Sequence, residues 1–158
     1  MKTNLTFYPF KKKKDKKMKP PLQNGFIAPS KMMIMEVSNL SYLLLALYMA
    51  SRHYKGAALV FFVFAVSTIH HYFAYNKAWL YFDIFVATAV TILLAFLYVP
   101  LENVASPTFI SAIIIGVIAL SLFFTSGTDY GSTKFELYHG LWHVFSAISF
   151  FLILKSQK

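Results

Sequence analysis

AWLYFDIFVATAVTILLAFLYV, residues 78–99, carries one charge, Asp83, and runs into Pro100. A helix that crosses a bilayer needs about 20 mostly apolar residues at 1.5 Å each. This run has that length, so it reads as a spanning helix. Ionisable side chains at such depth are costly and are functional candidates by default, which puts Asp83 on the list at once.

Working outward, four more apolar runs flank this one. They lie near residues 33–50, 56–75, 107–125 and 137–154. The first has a wetter start (Glu36, Ser38, Asn39), and Pro107 sits at a permissible first-turn position of the fourth. The connecting stretches SRHYK, YNK, PLENVAS and SGTDYGSTKFE hold the turn formers and nearly all the charge. The runs are continuous and not alternating, which argues against a transmembrane β-barrel, and no internal repeat is visible. The expected fold is an all-α, polytopic transmembrane bundle of about five spanning helices, residues 32–158.

Composition agrees. The chain has 158 residues, 58% of them hydrophobic and only 13% charged, against about 25% charged in an ordinary soluble domain. It has no cysteine, which removes disulfides, thiolate metal ligands and a thiol nucleophile from consideration. Any chemistry must come from His, Asp, Glu, Ser or Tyr.

The net charge of +9 belongs mainly to a tail. Residues 1–31 hold nine of the fifteen basic residues, including Lys11 to Lys14, against one acid, Asp15. With Pro9, Pro20, Pro21 and Pro29 among them, this segment reads as disordered. Its lysines suit anionic lipid headgroups, at about 1 kcal/mol each near a surface. They equally suit a mis-assigned start, with translation beginning at Met32, Met33 or Met35. Nucleic acid is disfavoured, because no aromatic platform or recognised fold accompanies the lysines.

Four of the five histidines fall inside the expected spans: His70 and His71 near the end of the second, His139 and His143 near the start of the fifth. Ser67 lies one turn before His71. Parity places the end of span two, the start of span three and the start of span five on one face. Ser67, His71, Asp83, His139 and His143 therefore enter the same leaflet, at roughly 3–10 Å depth by helical rise.

Spacing adds to this. Ser67 and His71, like His139 and His143, are four residues apart and share a helix face. Two histidines on one helix and a third from another can hold zinc through three nitrogens, with a fourth position open as in catalytic sites. Such a zinc lowers the pKa of its bound water to about 7. Asp83 then serves as general base or orients a ligand imidazole, and Ser67 donates to a developing oxyanion. Each residue alone has a plainer explanation. A single HxxxH pair is more often hydrogen-bonded packing, Ser67 can bond back to its own helix, and Asp83 can pair with Lys77 or cap a helix. Only the constellation favours a metal.

Ser67-Thr-Ile-His-His71, then Asp83, then His139-Gly-Leu-Trp-His143 resemble the S-x3-H, D, H-x3-H signature of the CREST superfamily. That group includes the alkaline ceramidases, the progestin and adipoQ receptors, and the myomaker-like proteins, whose branch this chain resembles most. The resemblance implies zinc held by His71, His139 and His143, with Asp83 and Ser67 around its water, and hydrolysis of a lipid amide; the open three-histidine site itself suits a lipid amide or ester. His70 falls where the pattern asks for no histidine. The superfamily usually has seven spans, so five would be a shortened version, lacking a pair between the Asp83 helix and the H-x3-H helix.

Two alternatives stand beside a zinc-dependent lipid hydrolase. One is a non-enzymatic, myomaker-like membrane-remodelling or lipid-sensing protein with a structural metal. The other is a b-type haem protein with histidine axial ligands. Membrane lipids are the expected partners, and a homodimer that supplies the missing walls is open. Arg52, Lys55, Lys155 and Lys158 share one face, while the tail, Lys77, Lys134 and the histidines share the other, so orientation turns on whether the tail is counted.

Overall fold

In a computed structural model, residues 33–73, 77–127 and 132–157 are described; the basic segment 1–31 lies outside them. The architecture is all-α. Helices α1 (Met33–Ala50), α2 (Tyr54–Tyr72), α3 (Lys77–Tyr98), α4 (Pro107–Ser126) and α5 (Thr133–Lys155) follow one another, with a 3₁₀ turn at Leu101–Asn103.

Local chemistry sets the ends. α3 stops just before Pro100, whose ring disfavours helical geometry in the residue ahead of it. α4 begins at Ser106, whose hydroxyl accepts from the Phe109 N–H, with Pro107 in the first turn. α5 begins in the same way, Ser132 accepting from the Phe135 N–H at 3.1 Å. Its start therefore precedes the apolar run by four residues, because Lys134 and Glu136 fit a helix although they interrupt hydropathy. The Asn103 side chain donates to the Ser156 carbonyl at 2.9 Å, tying the α3–α4 turn to the end of α5.

α1 packs between α2 and α5, α2 lies against α3, and α3 returns to α5. These four helices form a ring, and α4 packs chiefly on α5. The interior combines an apolar core, including Val60, Leu94 and Phe150, with a set of buried polar residues, and large apolar side chains also face outward. Buried polar residues include Asn39, Ser67, His71, Asp83, His143 and Ser149, while Ile113, Ile114, Val117, Phe124, Phe85 and Phe96 face outward. Ser149 resolves its burial by donating across to the Ala112 carbonyl of α4 at 2.9 Å.

Four of the helices, α1, α3, α4 and α5, are long and apolar enough to cross a membrane. The fifth expected span, α2, does not qualify on its own, because Lys55, His70 and His71 offset its Val and Phe content. Its 19 residues still measure about 28 Å, close to a hydrocarbon core of about 30 Å.

Gly140 sets the distance between α1 and α5. A methyl group there would meet Ile34 Cγ2 at 3.1 Å and Ser38 Oγ at 3.2 Å. Gly140→Leu is expected to destabilise the purified protein by about 1–3 kcal/mol through overpacking, measured as a lowered melting temperature. Val117→Leu, on the exposed face of α4, is expected to leave it unchanged.

Candidate metal centre

The last turns of α2 carry Ser67, His70 and His71; the second turn of α3 carries Asp83; the early turns of α5 carry His139 and His143. All six are fully buried, each at 0% exposure. The four-residue spacing turns His139 and His143 to one side of α5, and α2 and α3 bring the other groups to the same level.

His71, His139 and His143 each present a ring nitrogen, and these atoms lie within 4.8 Å of one another. Ring centroids are 5.0 Å apart for His71–His143 and 4.8 Å for His139–His143. A tetrahedral zinc at 2.0–2.1 Å needs nitrogens about 3.3 Å apart, so closure takes ring movements on the order of 1 Å. Among the described residues, neither nitrogen of His71 nor of His139 makes a hydrogen bond. Buried polar atoms are nearly always partnered, and a cation would supply what these lack. The donor set fits zinc.

The tautomer of His143 follows from donor accounting. Ser38 Oγ donates to the Met35 carbonyl at 2.8 Å, which uses its only proton. With that proton on the Met35 carbonyl, the 3.1 Å contact with His143 Nδ1 is an N–H donated by the ring. In that arrangement neutral His143 carries its proton on Nδ1 and a lone pair on Nε2, the nitrogen that could bind a metal. Such outer hydrogen bonds orient ligand imidazoles.

Ser67 sits between His143 and Asp83. Its Oγ is 3.1 Å from His143 Nε2 and 3.3 Å from Asp83 Oδ2. One hydroxyl proton faces two acceptors, a conflict that disappears once the Nε2 lone pair is bound to a cation and Ser67 donates to Asp83 alone. An aromatic wall completes the site. Phe135 stacks on His139 at 4.9 Å, and the Trp142 ring lies 4.9 Å from that of His143.

α1, which carries none of the residues of the S-x3-H, D, H-x3-H pattern, also supplies part of the surroundings. Besides Ser38, Glu36 Oε1 lies 3.8 Å from His71 Nδ1, and the Tyr42 ring packs 5.7 Å from His143. Asn39 anchors the same stretch to α2 by donating to Thr68 Oγ1 at 2.9 Å. The signal was present: the start of α1 lies on the same face as the end of α2, so its wet turn falls at the depth of the histidines.

Compared with known proteins, the chain matches no family model, no curated protein and no solved structure. Removing the Ser38 hydroxyl takes away one acceptor of His143 Nδ1, beside the Met35 backbone. Ser38→Ala is expected to weaken zinc binding about 10–100-fold in competition against a chromogenic chelator. Ser121→Ala, whose hydroxyl bonds to the Val117 carbonyl of its own helix, is expected to bind as wild type.

Proposed function

We propose that the chain is a multi-pass integral membrane protein whose five helices enclose a zinc centre and hydrolyse a lipid amide or ester. The observation that carries this reading is the buried convergence of His71, His139 and His143, with Asp83 linked to the same centre through Ser67. The membrane component rests on the outward apolar faces. Exposed apolar patches beyond a few hundred Å² are rare on soluble monomers, and here large apolar residues are exposed on every helix. The α2 helix joins as the fifth span through its packing on α1 and α3, which brings its histidines to partners in the interior.

A zinc ion at the three imidazoles supplies Lewis acidity and lowers the pKa of water at the site to about 7. The chain's own residues have the remaining roles. Asp83 would take the proton of the attacking water as general base and return it to the amine or alcohol that leaves as the C–N or C–O bond breaks. Ser67, now directed at Asp83 Oδ2, turns its hydroxyl to the substrate carbonyl as negative charge develops there. Ser38 fixes the ring of His143 by accepting its Nδ1 proton.

An apolar groove supports a lipid substrate. It lies between α3 and α4 over a floor of α5, with a volume of about 210 Å³. Its lining starts at Ile84 and Trp142, neighbours of Asp83 and His143, and extends past Thr88 and Gly116 to Ile92. From Ile84 to Ile92 the helix rises about 12 Å, room for part of an acyl chain. The histidine rings are in direct contact, 4.8 to 5.6 Å between centroids around His139, which favours a bare ion over a porphyrin. The positions Ser67, His71, Asp83, His139 and His143 are those the CREST resemblance names, and membership of that superfamily in shortened form is part of the proposal.

Sodium carbonate extraction of membranes should leave the protein in the pellet; release into the supernatant would contradict insertion. Detergent-purified wild type should carry at least one zinc per chain and turn over a member of a ceramide, acyl-amide and acyl-ester panel. Asp83→Asn should retain zinc at the three-histidine centre while slowing hydrolysis by about 10²–10⁴, the range for a general base. Zinc-loaded, folded protein without turnover of any panel member would leave the metal a structural, membrane-remodelling role.

A further inference from the structure

The site contains more donors than one zinc uses. His71, His139 and His143 satisfy a three-nitrogen centre, yet His70 and Asp83 are equally buried beside it. His70 on α2, Asp83 on α3 and His139 on α5 present donor atoms that also lie within 4.8 Å of one another. The His70 ring stands 5.6 Å from that of His139 and 5.7 Å from that of His71.

Asp83 is the group that most needs a cation. It is at 0% exposure, and no basic side chain among the described residues forms an ion pair with it. Its Oδ2 accepts from Ser67, but Oδ1 has no hydrogen-bond partner among the described residues. An ionised carboxylate removed from water without a partner costs several kcal/mol. His139, the member common to both groups, has two buried nitrogens and no hydrogen bond to either among the described residues.

We propose that His70, Asp83 and His139 form a second divalent-cation position beside the three-histidine centre, with His139 shared between them, one ring nitrogen to each ion. The second position rests on the reading of the first as a metal centre, because the two have that ligand in common. Two imidazole nitrogens and one carboxylate oxygen suit zinc or a neighbouring first-row metal, not calcium or magnesium, which take all-oxygen surroundings. The ring proton of His139 leaves to solvent when both its nitrogens are ligated. The arrangement gives His70 a role that three-histidine coordination leaves without one, and it compensates Asp83 directly.

The test is metal stoichiometry of full-length, detergent-purified protein loaded with zinc and freed of excess, with folding checked by monodisperse elution. Wild type is expected to hold two zinc ions per chain. His70→Ala and His143→Ala should each hold one, lost from opposite positions, and His139→Ala should hold none. Asp83→Asn, a near-isosteric change, should also lose the second ion, which keeps the test open if His70→Ala fails to fold. Loaded with cobalt(II), wild type should show a high-spin paramagnetic signal attenuated per ion by coupling through the shared ring, restored in Asp83→Asn. One ion in wild type, kept with unchanged affinity by His70→Ala, would overturn the second position and leave the three-histidine centre standing. Two ions kept by both His70→Ala and Asp83→Asn would place the extra ion elsewhere and overturn it as well. No bound metal in folded wild type would overturn both.

Discussion

Six fully buried polar side chains, Ser67, His70, His71, Asp83, His139 and His143, meet at one level of a bundle whose outer surface is apolar. Burying such groups costs free energy unless each finds a partner, and the cost rises with charge. The architecture is organised around meeting that demand. α5 contributes two imidazoles on one face, α2 two more with Ser67, and α3 the carboxylate. α1 closes the ring, with Ser38 and Asn39 accounting for hydrogen bonds inside it. Among the described residues, hydrogen bonding reaches His143 and one oxygen of Asp83 but not His71 or His139, and a cation is a partner whose chemistry suits them.

Close approach of α1 and α5 is what makes this arrangement mechanically specific. The absence of a side chain at Gly140 lets Ser38 reach His143, and that single contact sets which ring nitrogen carries the proton. Ser67 then connects the imidazole to the carboxylate. A chain of named atoms runs from the Met35 carbonyl through Ser38, His143 and Ser67 to Asp83, crossing α1, α5, α2 and α3. Each link has one proton to give, so altering one changes what its neighbours can bind.

Much of this was legible in the sequence because hydropathy and parity are strong signals. The run 78–99 matches α3 to within a residue, and counting crossings groups Asp83 with Ser67, His71, His139 and His143 on one face. Helix starts were less legible: α5 begins at a serine cap, ahead of its apolar run, and hydropathy cannot see a cap. The α2 helix shows a different conflict, since the histidines that make it interesting also lower its apolar character. The contributions of Ser38, Glu36 and Tyr42 were missed because each is unremarkable alone; only the approach of α1 to α5 gives them a target. Likewise His70 lies outside the family-like spacing, and its closeness to Asp83 and His139 is a property of three helices and not of one motif.

Zinc-edge X-ray absorption of the purified protein addresses the central claim most directly, because it reports the ligands themselves. The account expects nitrogen or oxygen neighbours near 2.0–2.1 Å with strong outer-shell scattering from imidazole rings, diminished when His143 is replaced by alanine. A folded sample whose zinc shows oxygen neighbours without imidazole scattering, or scattering indifferent to His143→Ala, would contradict a metal centre built from these histidines.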